Sequence, residues 1–301
     1  MTTPQVGVST IHPTQPYVTN AMFKALPTGL PTDAVTPGGT PTQQDIELAE
    51  LIRKASAEMD KFCYGSSGGV LYATTDTQTL RARVDRFGRF NINPRFTPVR
   101  SLTAFSWGDD VASMTAVTDL SHVEVEPTRL VIPAYPFTGM SSAGPLQFGP
   151  RTVLNYDLRV NFSYVNGWAC TALASAASAG AVTITVKDAT GIFPNVTRLT
   201  LRDPTNGTET VIPSAVNGTQ LTVPALTYAH SAGVQADDLP DVVPDACAEI
   251  TIGLMKRKAQ EAVRPAVGTG RNRHRAPAAP GEDNFNRGFG LLDSYVQVRT
   301  R

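Results

Sequence analysis

The segment from Val243 to Ala262 constrains the fold more than any other stretch of this chain. Pro244 suits a first helical turn, where the N–H it lacks would have no partner anyway. Asp245 and Glu249 place negative charge near the positive end of a helix dipole, and Lys256, Arg257 and Lys258 place positive charge toward the other end. Pro265 stops the run. The apolar residues form two stripes, Cys247, Ile250 and Leu254 on one and Ala248, Ile252, Met255 and Ala259 on the other. A surface helix carries one stripe; two stripes require cover on two sides. One cover is the chain's own core. The other is either more of the same core or a neighbouring subunit, which makes Cys247, Ile250, Leu254 and Met255 candidate core or interface positions.

The chain around this helix is poor in charge. Charged residues are 17% of 301, and 23 Pro, 24 Gly and abundant Thr favour short strands, turns and extended arms. Lys+Arg and Asp+Glu both number 26, so the zero formal charge argues against a generic nucleic-acid binder while leaving room for a local basic patch. Three scattered cysteines, Cys63, Cys170 and Cys247, fit reduced thiols and not a disulfide framework. The first residues show neither a charged n-region nor an apolar h-region, so no secretory leader is expected. No apolar run reaches the ~20 residues of a membrane span, so synthesis in the cytoplasm and no membrane partner are expected.

Residues 1–40 carry six prolines and read as an extended arm. Tyr17, Val18, Met22, Phe23 and Leu26 make it too apolar for a purely solvated tail. Thr40-Pro41-Thr42-Gln43 has the form of a capping box with Pro at the first helical position. A helix follows to about Phe62, with Leu48, Leu51, Ile52, Ala55, Met59 and Phe62 on one side and Gly65 as its stop. From Val70 to Val165 the pattern is strand-like, clearest where Tyr156, Leu158, Val160, Phe162 and Tyr164 alternate. Ala172 to Ala181 reads as a small-residue linker. Four or five short strands follow, with hairpin signals at Asn206-Gly207 and Asn217-Gly218, which suggest a small inserted barrel or sandwich. Residues 265–290 are rich in Gly, Pro, Asn and Arg, and apolar character returns from Gly290 to Arg299, the pattern of a docking tail.

The expected fold class is therefore α+β: a small helical core of two main helices with β-strands, an inserted all-β barrel or sandwich, and extended N- and C-terminal arms. The expected division is an arm over 1–40, a core over 41–170 and 237–264, the β module over 171–236 and a docking tail over 265–301.

Catalytic signatures are absent: there is no G-x-G-x-x-G opening a helix, no P-loop, no H-E-x-x-H and no G-x-S-x-G. No catalytic residue, cofactor or metal ligand is assigned. His12, His122, His230 and His274 read as surface or loop histidines, and Asp109-Asp110 and Asp237-Asp238 as solvated turns without calcium-loop spacing. Cys63 and Cys247 read as inert buried thiols. The cluster Arg271, Arg273, His274 and Arg275 could meet phosphates or an acidic pocket on a protein; without interleaved aromatics it does not stack bases.

Several short pieces, in order, resemble the head–tail connector (adaptor) proteins of tailed bacteriophages. Glu50 to Cys63 is similar to the family's first helix with its aromatic-Cys stop. Pro98 to Thr103 is similar to a strand entry after a Pro-containing turn. Val160 to Trp168 is similar to a V-x-Y-x-x-G-[YW] strand, and Val243-Pro244-Asp245-Ala246 to a V-P-x-x helix start. Leu291 to Tyr295 is similar to a closing segment. The 171–236 module resembles insertions of some long members and departs from the short, mainly helical ones. The resemblance implies a non-enzymatic virion protein of the neck. It implies a homo-oligomeric ring, usually of twelve copies, that binds the portal protein on one side and a stopper or tail-completion protein on the other. Double-stranded DNA would pass through the lumen without sequence-specific binding. It assigns portal docking to the tail, through Arg271, Arg273, Arg275, Arg287, Phe289, Leu291, Leu292 and Tyr295, with Lys256, Arg257 and Lys258 as possible phosphate contacts. The alternatives are a β-rich receptor- or glycan-binding virion protein, with the module as binder, and a hydrolase whose site is not visible in one sequence.

Overall fold

The computed structural model of the chain describes residues 15–27, 36, 38–85, 87–133, 157–263 and 281–296. The fold is α+β, with helices and several antiparallel sheets. Its described residues divide into two compact units, one within 72–168 and the other within 15–71 and 169–296.

In the first unit, β1 (Thr74–Arg83), β3 (Val99–Gly108), β4 (Thr115–Val117) and β7 (Asp157–Asn166) form one antiparallel sheet in the order β1-β7-β3-β4. A second sheet has the order β2-β6-β5, from β2 (Arg89–Ile92), β5 (Glu124–Glu126) and β6 (Arg129–Pro133). The expected alternation holds where β7 is described. Val160, Phe162 and Tyr164 are buried with Phe105, Phe90, Ile92, Leu130 and Ile132 in one core shared by the two sheets. The sequence pattern breaks between Thr75 and Thr79, but β1 runs through it unbroken. Asp76 and Gln78 tolerate the inner face because the Tyr164 hydroxyl donates to Asp76 Oδ2 at 3.2 Å and accepts from Gln78 Nε2 at 2.6 Å, so the polar groups there are paired.

The second unit begins with α1 (Asn20–Ala25) and α2 (Pro41–Tyr64). The capping box forms as the sequence predicts: the Gln43 N–H donates to Thr40 Oγ1, and Gln43 Oε1 accepts from the Thr40 N–H. Gly65, at φ 58°, ends the helix. The β module follows, with β8 (Cys170–Ala172), β10 (Leu199–Asp203), β11 (Gly207–Val211) and β14 (Gln235–Asp237) in the order β11-β10-β14-β8. Its other sheet is β12-β13-β9, from β9 (Thr183–Thr185), β12 (Ala215–Asn217) and β13 (Gln220–Thr222). Both Asn-Gly pairs sit in the expected hairpins. Leu173, Ile184, Val186, Leu199, Leu201, Val211, Leu221 and Ala236 make a core drawn from this module alone. The stretch read as a linker is part of the module: Leu173 bridges to Val186 and Ala177 to His230. Small side chains there allow close strand approach. The chain then enters α3 (Val242–Val263) and α4 (Glu282–Leu291), followed by a 3-10 turn at Asp293–Tyr295.

Candidate functional site

The candidate site is the layer in which α3 lies between α2 and α4. Both neighbours run antiparallel to α3. On the α2 side, Ser56 Oγ lies 3.5 Å from Cys247 Sγ, and one helical span away Lys258 pairs with Glu47. On the α4 side, Ile250 faces Gly288 and Gly253 faces Phe285 and Gly281. The two-stripe pattern thus finds both covers inside one chain. Of the candidate core or interface positions, Cys247, Ile250 and Met255 are buried and Leu254 is half-buried.

Gly253 of α3 and Gly288 of α4 are contact points between the two helices. A Cβ at Gly288 would meet Ile250 Cγ1 at 2.7 Å and the Ala246 carbonyl oxygen at 3.1 Å, and one at Gly253 would meet the Phe285 ring at 2.7 Å. Gly288→Val is therefore expected to weaken the docking of α4 by about 1–3 kcal/mol, the usual cost of overpacking. Hydrogen exchange across residues 282–291 measures this; exchange as slow as in the wild type would mean that α4 is not seated by this contact.

The expected tail residues fall into two groups. Arg271, Arg273 and Arg275 lie outside the described residues, as do His12 and His274. The others sit on or just after α4, and Arg287, Phe289 and Leu292 have partners in their own chain. Phe289 stacks on Phe62 with ring centroids 4.7 Å apart, Leu292 is fully buried, and Arg287 Nη1 reaches Glu249 Oε1 at 3.0 Å. Leu291 is exposed and Tyr295 half-buried. The three α3 cations also have partners in the chain. Lys256 donates to Asn284 Oδ1 at 2.7 Å, Lys258 to Glu47, and the Arg257 guanidinium lies 3.9 Å from the Phe285 ring centroid.

The described part of the N-terminal segment, residues 15–27, enters this layer. Tyr17, Val18 and Phe23 are buried. The Tyr17 N–H donates to Ser56 Oγ at 3.1 Å, its carbonyl accepts from Gln235 Nε2 at 3.0 Å, and its hydroxyl donates to Asp60 Oδ1 at 2.5 Å. The Leu71 N–H also donates to Asp60 Oδ1, at 3.0 Å. Burial pushes the Asp60 carboxyl up to about 7, against the lowering effect of the Tyr17 and Leu71 donors. It likewise pushes the Cys63 thiol up to about 12 and Cys247 up to about 11, so both are inert as the sequence suggests.

Two ionic features were not legible in the sequence. Asp237, read as part of a solvated turn, is fully buried; Arg202 Nε lies 3.0 Å from its Oδ2, and Arg202 Nη2 reaches Asp241 Oδ1 at 2.9 Å. His230, read as a surface or loop residue, is buried between Asp203 Oδ2 at 3.2 Å and Glu209 Oε1 at 2.7 Å. These partners are tens of residues apart in sequence, so no local spacing reveals them. Burial opposes ionisation of Asp203 and Glu209. Backbone donors from Thr205, Asn206, Thr227 and Tyr228, together with His230, outweigh it and hold both carboxyls below their ordinary values.

A depressed folded-state pKa adds stability above the ordinary carboxylate range, and that stability is lost as pH falls through the folded value. The module's thermal midpoint should therefore drop as pH is lowered below about 4. A midpoint that stays level through that acid range would show that the clip does not stabilise the module. Both ring nitrogens of His230 are occupied by carboxylates, so the trio joins a hairpin to a loop and offers no free base.

Among the described residues no group of His, Cys, Asp or Glu could hold a metal ion, and no helix is long and apolar enough to cross a membrane. No protein-family model matches the chain, and no curated protein matches it. Among solved structures it is similar to a chain from the neck of an empty gene transfer agent particle, with 15% identity over 94% of this chain and 95% of that one, at a TM-score of 0.36. It is also similar to a chain from the virion of a native gene transfer agent particle, with 14% identity over 94% and 95%, at a TM-score of 0.34.

Proposed function

We propose that this chain is a non-enzymatic structural protein of a tailed-phage-like particle: a head–tail adaptor that forms a ring between the portal and the stopper or tail, with DNA passing through the lumen. One observation carries the reading. Three sequence pieces that resemble the adaptor family, far apart in the chain, meet in space. Phe62, near the aromatic-Cys end of the first-helix piece, stacks on Phe289, just before the closing piece. Leu292 of the closing piece is buried, and α4 lies along the helix that Val243-Pro244 opens. A ring of about twelve copies is a closed heterologous assembly in which one surface of each copy meets a different surface of the next. The exposed side of α4, with Leu291, and the Arg271–Arg275 cluster are the proposed portal contacts.

Negative-stain imaging of the purified chain, alone and with portal protein, tests this. Rings that cap the portal are expected; a chain that stays monomeric in both samples overturns the reading. Deleting the whole tail is a poor probe, because it would strip Phe285, Phe289 and Leu292 from their neighbours. Replacing Arg271, Arg273 and Arg275 together by Ala leaves α4 in place. It is expected to weaken portal binding at least tenfold without lowering the thermal midpoint, as measured by pull-down and calorimetry; undiminished portal binding would remove the cluster from the contact.

A further inference from the structure

The outward face of the β1-β7-β3-β4 sheet carries an arrangement that costs stability. Side chains alternate faces along a strand. The register places Thr77, Thr79 and Arg81 of β1 opposite Ser163, Asn161 and Arg159 of β7, none of them in the core shared by the two sheets. Arg81 and Arg159 are therefore a directly opposed cross-strand pair of like charge, an arrangement that destabilises a sheet. Neither makes an ion pair among the described residues. Asp110, in the turn after β3, is near enough to feel Arg159, but its Oδ1 accepts from the Ala112 and Ser113 N–H groups. Above the arginines the same face continues as hydroxyls and an amide. Thr77 and Ser163 share a 2.7 Å hydrogen bond at the surface, and Thr79 stands opposite Asn161. Gly108 of β3 lies beside Arg159, so no side chain from that strand screens it.

We propose that this face binds the phosphate backbone of double-stranded DNA, without reading sequence, through Arg81 and Arg159 flanked by Thr77, Thr79, Asn161 and Ser163. Two like-charged guanidiniums opposed on adjacent strands, neither in an ion pair among the described residues, call for a polyanion. Hydroxyl and amide neighbours are the groups that position phosphates. Among the described residues this strand pair presents no outward aromatic ring on which an unpaired base could stack, which favours duplex over single strand. The choice of duplex DNA as the polyanion rests on the adaptor reading, whose lumen DNA would traverse.

The test is fluorescence anisotropy of the full chain with a labelled random duplex of about 25 base pairs, titrated across salt concentrations. The wild type is expected to bind, with the logarithm of the binding constant falling linearly with the logarithm of salt. The Arg81→Gln/Arg159→Gln variant should bind at least tenfold more weakly at low salt. Its salt slope should be shallower by about 2, one unit for each lost phosphate contact. Changing the duplex sequence should alter neither value. The variant's thermal midpoint should not fall, since a repulsive pair has been removed.

A wild type that does not bind at low salt, or a variant with an unchanged slope, overturns the proposal. So does displacement of the wild type by polyglutamate at lower charge concentration than by unlabelled duplex, which would assign the face to an acidic protein. Imaging the same variant separates the two readings. Rings with an unchanged slope leave the adaptor reading standing without this surface. Absence of rings in both proteins removes the adaptor reading, and the slope then still decides whether the face binds phosphate.

Discussion

Asp60→Asn is expected to stabilise the unit that contains α2 and α3, and to do so more strongly as pH rises. Asp60 is nearly fully buried, and the groups around it are the Tyr17 hydroxyl, the Leu71 N–H and the Cys63 thiol, none of them a cation. Desolvation therefore dominates and holds the carboxyl at about 7. A folded pKa raised above the unfolded value contributes stability that is complete below the unfolded pKa and is lost as pH rises through the folded one. The window runs from about pH 4, the ordinary aspartate value, to the folded value of about 7. Across it the wild type should lose up to about 4 kcal/mol, roughly three pKa units at 1.36 kcal/mol each. An asparagine keeps an oxygen that can accept from Tyr17 and Leu71 and has no charge to bury. Its unfolding free energy should stay level across the window and exceed the wild type's at pH 8. Denaturant unfolding at several pH values measures both curves; parallel curves would show that Asp60 is not buried as an acid.

Arg202→Ala is expected to cost about 3–5 kcal/mol, because removing one partner of a buried pair leaves the other charge uncompensated. Asp237 is the residue left behind. Burial already outweighs the guanidinium and raises its carboxyl above the ordinary value, so without Arg202 it would take up a proton or draw in water. Gln235 Nε2, at 2.8 Å, and the Leu239 N–H, at 3.2 Å, would remain as its donors among the described residues. Replacing both residues, Arg202→Met with Asp237→Leu, should recover most of the loss, since an apolar pair of similar volume does not need the counter-charge. Chemical denaturation of the wild type and the two variants reads this directly. A double variant no more stable than Arg202→Ala would show that the pair acts through Asp241 and not through Asp237.

The elements that were legible in the sequence are those built from local signals. Thr40, Pro41 and Gln43 announce the start of α2, and Gly65 its end. Two Asn-Gly pairs fix the hairpins of the module, and alternation marks β7. What was hidden depends on distance. Asp76 and Gln78 interrupt the apolar pattern of β1 and are rescued by a hydroxyl 86 and 88 residues away. Asp237 and His230 look like ordinary polar loop residues until Arg202, Asp203 and Glu209 are placed beside them. The glycines of α4 read as breakers, because a sequence shows their low helix propensity and not the helix that presses against them. The apolar residues of the N-terminal segment were recognised as needing cover, but nothing local says that the cover is Ser56, Asp60 and Gln235 of the same chain.

The position of Tyr17 has a consequence for the order in which the protein can be made. Its slot is assembled from α2, the strand that carries Gln235 and the helix that carries Cys247, and Gln235 lies 218 residues downstream of Tyr17. Residues emerge from the ribosome in chain order, yet Tyr17 has no finished place to go until the β module, which follows it, has emerged and closed. This segment, made before α2 and the β module, is therefore expected to settle only after both have folded.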